Sequence, residues 1–411
     1  MTLSPAATSA PARQKGVAEG KEFIALVTGL MAMSALGIDL MLPAFPDMRT
    51  TFGMAADSTD VAWIVNAYFL GMAAGPWLYG PASDRYGRRP PLVAGLVIYA
   101  TAAALAALAP SWPLVVLSRF LWGVGAAGPR SLSVAMIRDR YEGDSMARLM
   151  SLIMAVFLLV PIAAPLVGAG LVHALPWRAV FWFPGVVALL LLLWSRRLPE
   201  TLPEDRRRPF TWQSVRAASR EVVTHRQTIT LILAMTLLFG VLSAYLSGSE
   251  VIVEDVYDAR EWFPVFFSAI AVVLALSSLN NARLVRHYGV HRLVRWLAMS
   301  GVAAGSALVV VSVLGGGRPN LVLWTVVLGV TLAIGQGLSP NSNTIAMAPV
   351  PHVAGTASSI IATVNSAGGA LLGYLATTFF NGTVTPFSVT ILAYLCVAAA
   401  LILWGTARPE Q

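Results

Sequence analysis

The sequence lacks most of what a water-soluble enzyme relies on. Only 12% of its 411 residues are charged, about half the share of an ordinary soluble domain. Lysine occurs twice, at Lys15 and Lys21, and neither precedes a Ser or Thr. A phosphate-cradling loop ending in Gly-Lys-Ser/Thr is therefore absent, and ATP hydrolysis by that route is excluded. The one cysteine, Cys396, lies inside an apolar run, so no intramolecular disulfide forms and a small packing residue is expected. No serine occupies a Gly-x-Ser-x-Gly elbow, and none of the five histidines falls inside an apolar run. The chain reads as a non-enzyme. His287 and His291 share a helical face without a third ligand, which argues against a metal site. The net charge of +8 is dispersed in short clusters between apolar runs, with no basic domain to hold nucleic acid.

What is present is apolar sequence: 57% of residues are hydrophobic. Runs of about 20 apolar residues recur, each long enough to cross a hydrocarbon layer about 30 Å thick as a helix. Twelve such spans are expected at 23–43, 60–80, 91–109, 113–136, 148–171, 178–196, 229–249, 263–281, 294–314, 320–345, 354–378 and 385–405. The first is too long for a signal-peptide core and contains Asp39, so it is read as a retained helix. The predicted fold is an all-α integral membrane protein of two six-helix bundles. Residues 23–197 and 227–407 form the halves, 198–226 a cytoplasmic linker, and 1–22 and 408–411 cytoplasmic tails, the first of them disordered. If the N-terminus is cytoplasmic, 22 of the 28 Lys and Arg fall in cytoplasmic segments. Only Arg49, Arg178, Arg260 and Arg318 lie outside, and Arg119 and Arg130 lie within a span, so both termini are placed inside.

The halves carry a related turn. After the second span the chain reads Gly80-Pro-Ala-Ser-Asp84-Arg85-Tyr-Gly87-Arg88-Arg89; after the eighth it reads Asn281-Ala-Arg283-Leu-Val-Arg286-His-Tyr-Gly289. Gly80 and Gly87 are expected to allow close approach and a tight reversal. Asp84 is expected to cap a helix or pair with an arginine, and Arg85, Arg88 and Arg89 to hold the loop inside. Together they read as a conformational latch, and the duplicated halves point to alternating access around a central site.

Asp39 is the one carboxylate well inside a span, where an unpaired charge costs several kcal/mol, and so marks function. It precedes Pro43 by four residues, a depth of about 6 Å, while Arg119 follows Pro113 by six on an oppositely directed span, a depth of about 9 Å. A contact between them would couple helix movement to protonation; a static ion pair is the plainer outcome. The fifth span contains Pro161, Pro165, Gly168 and Gly170, which kink a helix and let a neighbour approach. Glu250, near the outer end of the seventh, would attract a cation or proton, or simply sit at the interface. Asn66, Tyr68, Trp122, Tyr245, Gln336, Asn341 and Asn343 need partners in a dry setting and are candidates for the cavity or for helix-to-helix bonds.

These residues resemble the major facilitator superfamily, and within it the twelve-span drug/proton antiporters of the bicyclomycin- and chloramphenicol-resistance type. The landmarks are Ile38-Asp39-Leu-Met-Leu-Pro43-Ala-Phe-Pro46, the Gly80 to Arg89 turn, Arg119-Phe-Leu-Trp122-Gly123 with Arg138-Asp139, and Trp177-Arg178 through Trp182. Pro199-Glu-Thr-Leu202 and Val353-Ala-Gly355-Thr-Ala-Ser-Ser359 follow. The resemblance implies an antiporter signature at Pro161 to Gly170, a gating turn at Asp84 to Arg89, a proton-linked role for Arg119 and a coupling carboxylate at Asp39. Two features depart from it: Ala stands in the fifth span where the motif often has Gly, and Glu250 stands where relatives carry a small residue or proline.

The resulting expectation is a monomeric transporter of a bacterial inner membrane that exports small amphipathic, drug-like molecules in exchange for protons, with no cofactor beyond the proton gradient. A proton symporter or facilitator for a nutrient is the rival within transport. A membrane sensor or scaffold is the rival from another class, and it would need a soluble domain.

Overall fold

The computed structural model describes residues 21–55, 58–141, 143–207 and 212–407. Most of the expected tails, 1–20 and 408–411, and 208–211 of the linker lie outside the described residues. Among the described residues the secondary structure is helical, without strands. Hydrocarbon offers backbone N–H and C=O groups no partner, so each apolar run must satisfy its own peptide groups as a helix.

The first half contains α1 (Lys21–Asp39), α2 (Phe45–Thr51), α3 (Trp63–Tyr86), α4 (Arg89–Leu108), α5 (Trp112–Arg140), α6 (Gly143–Ala174) and α7 (Ala179–Ser195). The linker holds α8 (Trp212–Thr224), and the second half contains α9 (Arg226–Val251), α10 (Phe263–Tyr288), α11 (Val290–Leu314), α12 (Leu321–Met347), α13 (Ala354–Thr378) and α14 (Thr385–Gly405). Ten helical segments among the described residues are long and apolar enough to cross a membrane. The other two crossings are α5, diluted by Arg119 and Arg130, and the short α7. The observed helices outrun several predicted spans, since polar residues such as Arg138 and Arg140 continue the helix beyond the apolar run. The first span instead stops at Asp39 and restarts after a 3-10 turn at Leu42–Ala44. Pro43 lacks the N–H that would pair with the Asp39 carbonyl.

In the first half α5 lies between α3 and α4, and α1 packs against α5, α6 and α7. In the second, α9 packs against α12, α13 and α14, and α11 against α12 and α14. The halves meet along two related seams, α3 with α13 and α6 with α10. Helix α8, not foreseen in the linker, lies against α9 and α13, burying Val222 and placing Glu221 2.9 Å from His352. Large apolar side chains such as Leu190, Leu276, Val322 and Val397 are more than half exposed around the outside. So wide an apolar belt fits lipid contact and not a water-facing surface.

The tightest internal seam is α3 against α5. Gly123 faces the Tyr68 carbonyl and Gly71 faces the Phe120 carbonyl, both too near to admit a side-chain carbon. Gly170 and Gly80, expected to permit close packing, instead have open space where a side chain would go. The expected outcome is that Gly123→Leu forces α3 and α5 apart, costing about 1–3 kcal/mol or more, read as a lost monodisperse peak and a lower thermal midpoint. Gly170→Ala leaves both unchanged.

Candidate proton and substrate site

The turn after α3 is built around Arg88, which is 5% exposed. Its Nη1 donates to Asp84 Oδ1 at 2.7 Å and to Ser83 Oγ at 2.8 Å, and its Nε donates to Asp139 Oδ2 at 2.9 Å. One guanidinium thereby ties the end of α3 to the end of α5 at the start of α4. Gly87 makes the reversal at φ +93°, a backbone conformation that disfavours any side chain. Asp84 does not cap a neighbouring helix. That role falls to Glu200, whose Oε1 accepts from the Arg88 N–H at 2.8 Å and whose Oε2 accepts from the Arg89 N–H at 3.1 Å, at the N-terminus of α4. Glu200 Oε1 also accepts from the Thr201 and Leu202 N–H groups. Burial alone would raise this carboxyl, but the four backbone donors outweigh it and hold it below the usual carboxylate range. The Arg89 side chain donates to the Arg196 carbonyl, whereas Arg85 only lies over the Tyr86 ring, outside the latch. The second turn repeats the reversal at Gly289, φ +74°, without a carboxylate beside it.

At the other end of the bundle, α1 breaks immediately after Asp39. Asp39 is 4% exposed and forms no hydrogen bond or ion pair with a described residue. The expected contact with Arg119 is not made. Arg119, fully buried, donates from Nε to the Ile64 carbonyl at 3.0 Å and from Nη2 to the Gly37 carbonyl at 2.9 Å, and its Nη1 has no partner. The guanidinium is clasped between Tyr68 and Trp122, 4.6 and 4.7 Å from the ring centroids. A cation at the carbonyl end of a broken helix is favourable both for the helix dipole and for the freed acceptors. The hydroxyls of Tyr68 and Tyr99 donate to the Ser34 and Met33 carbonyls, at 2.8 and 3.0 Å, so α1 is stitched by three neighbouring helices.

The proline-rich part of α6 runs beside this break. Gly168 faces the Leu40 carbonyl, one residue past Asp39, with no room for a side chain. Near Pro161 and Pro165, the Ile162 carbonyl accepts from Ser268 Oγ of α10 at 2.7 Å, joining the halves. Most of the polar candidates also make helix-to-helix bonds. Asn66 Oδ1 accepts from Ser243 and Ser247 of α9, and Asn341 pairs with Asn281 at 2.7 Å. Tyr245 stacks on Phe267, and Trp122 leaves its ring N–H unpartnered. Gln336 is the partly exposed member of the set, and Asn343 is exposed.

Glu250 is buried and paired. It is 3% exposed and receives a two-pronged bond from Arg49, 2% exposed, with Nη1 to Oε1 at 3.1 Å and Nη2 to Oε2 at 2.7 Å. Arg49 Nε also donates to the Ser58 carbonyl at 3.0 Å. Because Arg49 is on α2 and Glu250 on α9, the pair bolts the two halves together at the end opposite the latch. The next turn, Ile252–Val256, widens into a π-helix carrying Glu254, a feature common at functional sites. Over the pair opens a vestibule of about 710 Å³ bordered by Pro43, Asp47, His173, Glu254 and Arg260.

The family model described as Major Facilitator Superfamily matches residues 27–373. The chain belongs to this superfamily. Among curated relatives, this superfamily member is 27% identical to the bicyclomycin resistance protein homolog of Haemophilus influenzae, over 94% of this chain and 97% of that one. It is 26% identical to the chloramphenicol resistance protein of Pseudomonas aeruginosa, over 92% and 88%. In structure it is similar to the human organic anion transporter MFSD10 (TETRAN), TM-score 0.71 at 20% identity, covering 93% of this chain and 99% of that one. It is also similar to a D-xylose-proton symporter, TM-score 0.72 at 14% identity, over 93% and 97%. The fold is that of a membrane transporter, and the resemblance to the drug-resistance branch agrees with the relatives.

Two outcomes follow from this geometry. Glu200 contributes stability above its unfolded pKa, about 4.3, and that contribution fades as pH falls through its lower folded value. Glu200→Gln therefore lowers the thermal midpoint at neutral pH, with the gap to wild type closing below about pH 4. At the opposite end, Arg49→Leu or Glu250→Leu alone strands a buried charge and costs about 3–5 kcal/mol, whereas the double replacement recovers most of it. A thermal-shift double-mutant cycle measures both.

Proposed function

We propose that this transporter exports small amphipathic, drug-like molecules across a bacterial inner membrane in exchange for protons, working by alternating access as a monomer. The observation that carries this reading is the buried, unpartnered carboxyl of Asp39 at the helix break beside Arg119. An ionised carboxylate without a partner is costly in so dry a place, so Asp39 is held as the neutral acid while both mouths are shut. It gives its proton to water on the cytoplasmic side when the inner mouth opens. Opening the outer mouth separates Arg49 from Glu250 and admits water through the vestibule, where Asp39 exchanges its proton with the outside. Closing the mouth around the protonated acid carries that proton inward, and substrate leaves in the opposite sense.

Arg119 acts on this cycle through the backbone. Its bonds to the Gly37 and Ile64 carbonyls fix where α1 breaks, and its positive charge favours the ionised form of Asp39 whenever rearrangement of α1 brings them nearer. Gly168 of α6 touches the same break, so a tilt of the proline-kinked helix moves the acid. Arg88 with Asp84, Asp139 and Glu200 holds the opposite mouth, and its release accompanies inward opening. The cationic segments at the latch end favour a cytoplasmic position for it, and with it both termini inside. The relatives named for bicyclomycin and chloramphenicol resistance support a drug-like cargo. The proton gradient supplies the driving force without a cofactor.

In proteoliposomes Asp39→Asn is expected to abolish substrate-driven proton movement and uphill export while leaving substrate binding within about threefold of wild type. Uphill export at the wild-type rate by that variant would remove Asp39 from the mechanism. Arg119→Ala is expected to shift the pH optimum of exchange; an unchanged profile would reduce Arg119 to a helix cap.

A further inference from the structure

The helix ends at the latch side of the two halves enclose different spaces. In the second half, the ends of α9, α11 and α14 enclose an open crevice of about 1170 Å³ lined by Gln227, His291, Arg292, Arg295, Trp296 and Thr406, among others, with no acidic residue. Arg292 stacks over Trp296 at 4.4 Å. At its edge Arg226 stacks over Trp404 at 4.8 Å and donates to the Trp404 carbonyl at 2.8 Å. Trp296 and Trp404 are 44% and 56% exposed, and indole rings are enriched at membrane interfaces. Among the described residues, Arg226, Arg292 and Arg295 enter no ion pair.

The first half offers a contrast at the same end of the molecule, between different helices. There the ends of α1, α5 and α7 leave a gap of only about 10 Å³, lined by Glu22, Phe23, Arg140, Trp194 and Arg197. Glu22 Oε1 accepts from Trp194 Nε1 at 2.8 Å and from Arg197 Nη1 at 3.5 Å, and Arg140 stacks over Phe23 at 4.5 Å. That half carries its own anion between its cations and aromatic rings. In the second half the start of α9 offers Gln227, whose amide is turned away to the Ile345 carbonyl. The second-half crevice is the larger, it gathers arginines and indoles from other helices, and no acidic residue lines it among the described residues.

We infer that the α9–α11–α14 crevice binds the headgroup of an anionic phospholipid, whose phosphate stands between Arg292 and Arg295. Stacked guanidiniums present fixed donors to a phosphate, and Trp296 and Trp404 flank the glycerol and upper acyl chains. Basic crevices between helices at this level of a membrane are suited to such headgroups. Topogenic charge alone asks only for arginine near the interface. It does not require an open crevice or paired stacking on indoles.

The test uses full-length protein purified in detergent and titrated with phosphatidylglycerol or phosphatidylcholine, with retained lipid read by native mass spectrometry and stability by thermal shift. Wild type is expected to retain phosphatidylglycerol preferentially and to gain thermal stability from it alone. Arg292→Gln/Arg295→Gln is expected to lose about fivefold in that preference per arginine removed. Arg283→Gln/Arg286→Gln, which removes the same charge from the end of α10 outside the crevice, retains it. Arg292→Lys/Arg295→Lys preserves the charge needed for insertion and gives an intermediate loss, so a misfolded glutamine variant leaves the question answerable. Equal retention of the two lipids by wild type overturns the inference. So does an unchanged preference in the lysine variant together with its loss in the Arg283/Arg286 control, or stabilisation by excess inorganic phosphate equal to that by lipid. None of these readouts depends on transport.

Discussion

A carbonyl that loses its intrahelical donor inside a membrane has no water to turn to, and the arrangement around α1 is governed by that constraint. Pro43 ends the first helix just past Asp39, and Arg119 arrives from α5 to bond the Gly37 carbonyl while holding Ile64 of α3 with another nitrogen. The same guanidinium lies against Tyr68 and Trp122, and the Tyr68 hydroxyl returns to α1 at Ser34. Arg119 is thus spent on the backbone. It leaves Asp39 without a counter-ion, and that is what makes a proton the natural companion of the carboxyl in the proposed cycle.

The latch and the Arg49–Glu250 pair answer different needs: the latch knits the first half's own helix ends together, and the pair holds the two halves in register. At the latch, three carboxyl groups converge on Arg88 and its neighbouring peptide groups: Asp84 and Asp139 on the side chain, Glu200 on the backbone. Its counterpart at Gly289 has the same reversal but open surroundings. Sequence duplication therefore persists in backbone geometry after the side-chain network has been lost from one copy. The spaces at this end differ as well: Glu22 lies between α1 and α7 in the first half, and arginines line the crevice between α9, α11 and α14 in the second.

Helix number and class were legible because lipid imposes a long apolar run on every crossing, and such runs cannot be disguised. The ends were less legible, since Arg138 and Arg140 prolong α5 with residues that look like loop. Depth counting placed Asp39 and Arg119 near each other but could not reveal that Arg119 would bond the Gly37 and Ile64 carbonyls, which lie on two other helices. Glu200 carried a signal in the Pro199-Glu-Thr-Leu202 string, yet its cap at Arg88 joins residues 112 apart in sequence. Glu250 was read as interfacial or free because its partner Arg49 lies 201 residues away and looked like an ordinary cation in an outer loop. Asn66 and Asn341 presented equal cases for cavity and for helix packing, and the choice was made by neighbours on other helices.

The bolt formed by Arg49 and Glu250 has a mechanical consequence set by where the vestibule lies. While the surroundings are dry, parting two opposite charges works against a strong field, so small tilts of the halves are resisted almost to the point of rupture. Once water enters from the 710 Å³ space above, the field between them is damped and little holds them together. Resistance that collapses after the first wetting step makes the outer entrance behave as a snap fastener: partial openings are short-lived, and a leak through a half-parted mouth is rare.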